Sequence, residues 1–217
     1  MDPAAASPSL AASWLKSNLF YALLLAAAGL AAFAFKSLFG ADRGLALTLL
    51  VAAVAIAFYA SASAYGALLV GRVLRRILPE MPVENWVIWY GVIGAFSAFS
   101  VFMQGKAAPS DAPLHAAPIE EIIGTALVLF FIGAFFGVIN GAIQAFILRW
   151  SARGLARWIA MSALGTALAF AVTLPAAGLW STKGGFADAL FTQIQIVVNL
   201  MIVALVMLFP VSRLRPY

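Results

Sequence analysis

No cysteine occurs anywhere in this chain, which excludes disulfides, thiolate metal sites and cysteine nucleophiles. Charge is nearly as scarce, at 10% of residues against about a quarter in an ordinary soluble domain. The deficit is not local, because apolar runs recur from Asn18 to Phe209. What fills the space is hydrophobic: 65% of the 217 residues, with a mean hydropathy of +1.03. Such a chain is expected to be an integral membrane protein.

A second shortage narrows the chemistry. No Asp, Glu, Lys, Arg or His falls near the middle of any apolar run. An ionisable side chain at that depth is the usual mark of a proton relay, ion pathway or counter-ion. Proton- or ion-coupled transport therefore has no side-chain carrier, although carbonyls at a broken helix could bind sodium. The only break expected is near Pro175. The one histidine, His115, lies in a loop, so histidine cannot ligate haem within the membrane.

The runs predict an all-α bundle of six spanning helices in a single membrane domain. Their expected limits are 18–39, 45–73, 86–103, 119–150, 156–174 and 187–209. Each is long enough for a hydrocarbon core of about 30 Å, and the second and fourth are long enough to tilt. Basic residues set the orientation. With the N-terminus inside, the cytoplasmic side holds Lys16, Arg72, Arg75, Arg76, Arg149, Arg153, Arg157, Arg213 and Arg215. The outer side holds Lys36, Arg43, Lys106 and Lys183, offset by Asp42, Asp111, Glu120, Glu121 and Asp188. This bias predicts both termini in the cytoplasm. The first apolar run is too long for a cleaved signal peptide and reads as an anchor.

Between the spans the connections are short. The longest outer loop, residues 104–121, carries three prolines and should be extended. Pro118, Glu120 and Glu121 suit the positive N-terminus of the fourth helix. Trp14, Trp86, Trp89, Trp150, Trp158 and Trp180 all lie near expected helix ends, as an interfacial belt requires.

Catalytic groupings are thin. His115 with Asp111, Glu120 and Glu121 could form a metal site, but neither helical nor zinc-type spacing is present. Ser110, Asp111 and His115 share one proline-rich loop, which gives no rigid frame for a triad. The chain is expected to be non-catalytic, without a metal or cofactor. The net charge of +5 would suggest nucleic acid in a soluble protein. Here it points instead to anionic lipid headgroups, met by Arg72, Arg75, Arg76, Arg149, Arg153 and Arg157. An acidic cytoplasmic partner could dock on the same arginines.

The most structured stretch is "GAFFGVINGAIQAFILR", residues 133–149. On a helix, Gly133, Gly137, Asn140, Gly141 and Gln144 fall within an arc of about 100°. Glycines at this spacing let another backbone approach, and amides beside them can bond across the contact. That face should be buried in protein. Other polar stripes are Ser97, Ser100 and Gln104; Ser162, Thr166 and Thr173; and Thr192, Gln195 and Asn199. Gln193 points nearly opposite to Gln195. These stripes are either packing glue or the neutral lining of a path for a small solute or lipid, with Gln195, Asn199, Thr166 and Thr173 as candidates.

An echo links "LLVGRVLRR…NWVIWYGVIGAFSAF" (68–99) to "AFILRWSARGLARWIAMSALGTALAF" (145–170). Each reads as helix, arginine turn, tryptophan, helix. A duplicated hairpin would produce it, and so would the composition bias of membrane helices. "GVINGAIQAFILR" and "ARWIAMSALGTALAF" together resemble a pattern in small bacterial inner-membrane proteins, G-x-x-x-G-x-x-Q-x-x-x-L-R followed by a basic turn and tryptophan. The resemblance implies a bacterial inner membrane and no activity. The leading expectation is an accessory or scaffold subunit of a larger membrane complex. The alternative is a small permease or channel for a neutral solute or lipid.

Overall fold

The computed structural model describes residues 8–39, 44–103, 119–180 and 186–216. They form six helices: α1 (Pro8–Phe39), α2 (Leu45–Arg75), α3 (Val83–Met103), α4 (Ile119–Leu148), α5 (Leu155–Trp180) and α6 (Phe186–Val211). No strand occurs among the described residues; one isolated bridge joins Arg153 to Arg215. Five helices, all but α3, are long and apolar enough to cross a membrane. Helices suit that setting because every backbone group inside the segment is bonded without water.

The helices pack as an open ring in the order α4, α5, α6, α1, α2, α3, each running antiparallel to its neighbours. Its last seam, between α3 and α4, is scarcely closed. At one end lie the first and last described residues and both short turns, α2–α3 and α4–α5; we call this the turn end. Lys16, Arg72, Arg75, Arg76, Arg153, Arg157, Arg213 and Arg215 are exposed there, whereas Lys36, Glu120 and Glu121 are exposed at the opposite, loop end.

Tight packing is concentrated at the turn end. Trp14, Leu74, Leu78, Trp86, Leu148, Trp158, Met207 and Val211 form one buried cluster. The helices leading away from this end, α1, α3 and α5, each contribute one tryptophan to it. Trp86 and Trp158 meet edge to face, 6.1 Å between centroids, and Trp14 donates its indole N–H to the Ala204 carbonyl (2.9 Å). A second cluster, around Tyr21, Leu25, Tyr59 and Ala98, lies further toward the loop end. At the start of α5, Gly154 takes a φ of +80°, a left-handed conformation that a residue without Cβ adopts freely.

Several expectations need correcting. α1 begins at Pro8, ten residues before the expected limit. Its first turns carry Lys16 and look only mildly apolar, but they are held by the burial of Trp14 against α6. α5 does not stop at residue 174; it continues to Trp180. A proline removes one backbone bond, and a span can bridge that loss when neighbouring groups take up the freed carbonyl. The tryptophan belt is also revised. Trp14, Trp86 and Trp158 are core residues, exposed by 3%, 1% and 1%; Trp150 alone of the described tryptophans is largely exposed. The side chain of Trp180 lies outside the described residues.

Candidate functional site

The glycine stripe of α4 is a contact with α5. A Cβ built on Gly137 would lie 2.6 Å from both the Ala163 Cα and the Ser162 carbonyl oxygen. One built on Gly133 would fall 2.7 Å from the Thr166 carbonyl, and one on Gly141 2.8 Å from the Ser162 Cβ. At Gly133 and Gly137 the nearest atoms include carbonyl oxygens of α5, the close backbone approach that small residues permit between helices. The face expected to be buried in protein is covered by the chain's own α5.

Gln144, 3% exposed, is the hub of the polar contacts. Its Nε2 donates to the Tyr90 hydroxyl on α3 (3.0 Å). Its Oε1 accepts the Trp158 indole N–H from α5 (2.9 Å). One amide therefore ties three helices, and its strongest donor and acceptor positions are both used. Asn140, one turn away and half-buried, accepts from the Trp89 Nε1 (3.1 Å). These two bonds lie where α3 meets α4. Further toward the loop end, Val92 and Phe96 on α3 and Ile132, Phe135 and Phe136 on α4 are exposed.

The other stripes separate. Gln195 donates to the Thr173 carbonyl (2.8 Å), while the Thr173 hydroxyl turns back to Ala169 (2.7 Å). Trp158 and Thr173 are fifteen residues apart on one helix, about 22 Å along its axis. Gln144 and Gln195 therefore sit at different depths of the bundle. Asn199 and Thr166 are half-buried on α6 and α5, and Thr192 is exposed. Ser97 is also exposed and bonds to the Ile93 carbonyl of its own helix (2.8 Å). Gln104, and the groups around His115, lie outside the described residues, as does the Ser100 side chain.

Gln193 does face away from Gln195. It is buried against Gly29 of α1, where its Oε1 occupies the place a Cβ would need, and it neighbours Tyr59 of α2. Ser63, buried and beside Tyr21, likewise sits over Gly94 of α3. Neither the Gln193 Oε1 nor the Ser63 Oγ has a conventional hydrogen-bond partner. The Trp86 Nε1 is the third buried atom in this condition.

The interior thus contains three tyrosines that the stripe pattern did not single out. Tyr21 and Tyr90 meet edge to face at 5.7 Å, and Tyr59 lies in the same region. The signal was present: a tyrosine in mid-span, away from the interface it usually occupies, needs a partner for its hydroxyl.

The arginines behave unequally. Arg72 and Arg75 are exposed. Arg76 donates to the Ser13 hydroxyl on α1 (3.3 Å). Arg149 folds over the Phe146 ring, 3.4 Å from its centroid, and donates to the Phe146 carbonyl (2.9 Å). Arg157 lies 5.7 Å from the Phe209 ring, and the Arg153 backbone pairs with Arg215 (3.1 Å). No cluster of three His, Asp or Glu side chains occurs among the described residues.

No protein-family model, curated protein or solved structure matches this chain.

Proposed function

We propose that this multi-pass membrane protein is a non-catalytic accessory or scaffold subunit of a bacterial inner-membrane complex. The observation that carries the reading is the unclosed α3–α4 seam. α4 commits one face to α5 and, among the described residues, touches α3 only near Trp89 and Tyr90. Beside that contact its surface presents Ile132, Phe135 and Phe136 outward. A helix of another membrane subunit can complete the ring there by van der Waals packing, the main driving force between helices in lipid. All six helices span in this reading, with both termini in the cytoplasm. The turn-end arginines then meet anionic headgroups, each worth about 1 kcal/mol near such a surface.

The test is a photo-crosslinking amino acid placed at Phe135, with Leu205 on α6 as a lipid-facing control. After gentle detergent extraction from the native membrane, position 135 should yield one defined crosslinked membrane protein and position 205 none. Equal, diffuse lipid crosslinking at both positions would remove the scaffold reading.

A second reading, a permease for a neutral solute or lipid, draws support from the buried uncharged groups of Tyr21, Tyr59, Ser63, Gln144 and Gln193, with half-buried Tyr90 beside them. Its test is a solute flux in reconstituted vesicles that Gln144→Leu abolishes. Unchanged flux in that variant would remove Gln144 from the path.

A further inference from the structure

The two turn-end hairpins match at a level the sequence echo did not reach. In the α2–α3 turn the Leu74 carbonyl accepts from both Ile77 N–H (3.0 Å) and Leu78 N–H (2.8 Å). In the α4–α5 turn the Leu148 carbonyl accepts from both Ser151 N–H (2.9 Å) and Ala152 N–H (3.0 Å). Leu74, Leu78, Leu148 and Ala152 are all fully buried. α3 then begins at Val83 and α5 at Leu155, and the fourth residue of each helix is a buried tryptophan, Trp86 or Trp158. From that leucine to the tryptophan the first hairpin is two residues longer, and α2 runs one residue past its leucine.

The same register explains how each pair of helices approaches. Aligning Leu74 with Leu148 places Tyr59 opposite Gly133; aligning Trp86 with Trp158 places Gly94 opposite Thr166. In the second hairpin Gly133 admits the Thr166 carbonyl and packs on the Phe170 Cβ. In the first, Gly94 admits the Tyr59 carbonyl, and Tyr59 shares a cluster with Ala98, the counterpart of Phe170. The small residue changes helix while the level of contact stays. Composition bias gives helices rich in glycine and alanine, but it does not give matched levels, turn bonds and tryptophans together.

A further difference falls at the partner of the tryptophan. Gln144, which holds the Trp158 indole, corresponds to Val70, buried in the same cluster as Trp86. The Trp86 Cδ1, the neighbour of its Nε1, lies 3.6 Å from the place of a Cβ on Gly71, so the indole edge faces α2 at this level. Its N–H is buried and unpartnered. We infer that α2–α3 and α4–α5 are two copies of one helical hairpin, and that Val70 stands where the second copy carries the glutamine that positions its tryptophan.

The inference is independent of either functional reading and is tested on the full chain in detergent. Trp158→Phe breaks an indole bond and Trp86→Phe does not, so Trp158→Phe should lower the melting temperature by about 2–4 °C more. Gln144→Val should abolish that difference. Val70→Gln should make Trp86→Phe as costly as Trp158→Phe and should move the Trp86 indole N–H resonance toward that of Trp158. Equal costs for the two tryptophans in the native chain would overturn the inference. So would an unmoved Trp86 resonance in Val70→Gln, or failure of Val70→Gln to fold where Val70→Leu folds.

Discussion

Replacing Gly137 by alanine tests the backbone contact between α4 and α5 with a single methyl group. The new Cβ would lie 2.6 Å from the Ala163 Cα and from the Ser162 carbonyl oxygen, both backbone atoms that no rotamer change can move. Ordinary contact needs about 3.5 Å or more, so α4 and α5 must separate by about 1 Å. The Trp158–Gln144 bond, now 2.9 Å, lies within two turns of that point and would stretch beyond hydrogen-bonding range. The overpacking costs about 1–3 kcal/mol, and loosening the buried amide adds about 1 kcal/mol more. Against this stands a gain of up to about 1 kcal/mol for alanine over glycine in a helix. The net loss is about 2 kcal/mol, or about 4–8 °C in melting temperature for a chain of this size. Gly124→Ala, on the same helix with nothing within 4 Å of the new Cβ, is the control and should be neutral or stabilising. Gly137→Leu should prevent the bundle from closing at all. Thermal unfolding in mild detergent, with a native gel for the leucine variant, reads these effects. If Gly137→Ala melts with Gly124→Ala, the α4–α5 contact is not where the structure places it.

Gln144→Leu strands the Trp158 N–H and the Tyr90 hydroxyl in the interior and should cost about 1–3 kcal/mol in unfolding, against less than about 1 kcal/mol for the half-buried Asn140→Leu. Gln195→Leu, which loses one bond to a backbone carbonyl, should fall near Asn140→Leu rather than near Gln144→Leu in the same assay. Because the chain has no cysteine, single cysteines report orientation directly: in right-side-out cells an impermeant maleimide should label Glu121→Cys and spare Arg215→Cys, and the reverse pattern would invert the proposed topology. Neutralising Arg72 and Arg75 together with glutamine should weaken retention of copurifying anionic lipid by about 1 kcal/mol per residue, measured by lipid mass spectrometry. Arg149→Gln, whose side chain is already engaged by Phe146, should change lipid retention less than either.

How far the sequence could be read depended on whether the deciding force was solvent or a particular neighbour. Exclusion from water acts on every residue by type, so α2, α4 and α6 were located to within two residues, and the opposed faces of Gln193 and Gln195 followed from helical geometry alone. Glycines four apart likewise implied a close backbone, and the structure supplies α5 as that backbone. The first turns of α1 were missed because they are made helical by what Trp14 touches, and nothing local records the distant Ala204 carbonyl. The same limit governs the tryptophans. A tryptophan at a helix end has the same sequence signature whether it lies in the headgroup region or turns into the core, and three of them turn inward.

The amides show this most sharply. Grouping residues into polar stripes pairs amide with amide, yet Gln144 is satisfied by an indole and a phenol, both counted with the hydrophobic residues in the composition. In a bilayer any N–H or O–H inside the bundle must find an acceptor or remain costly. The aromatic residues with a polar tip therefore belong in the same search as asparagine and glutamine. Taken together they lead from Gln144 to Trp158 and Tyr90, and from Tyr90 to Tyr21, which joins polar-tipped aromatic residues of α1, α3 and α5 to the amide hub on α4. Trp86, on the same course, lacks the acceptor that its counterpart has, and Val70 is the residue from which that difference can be changed.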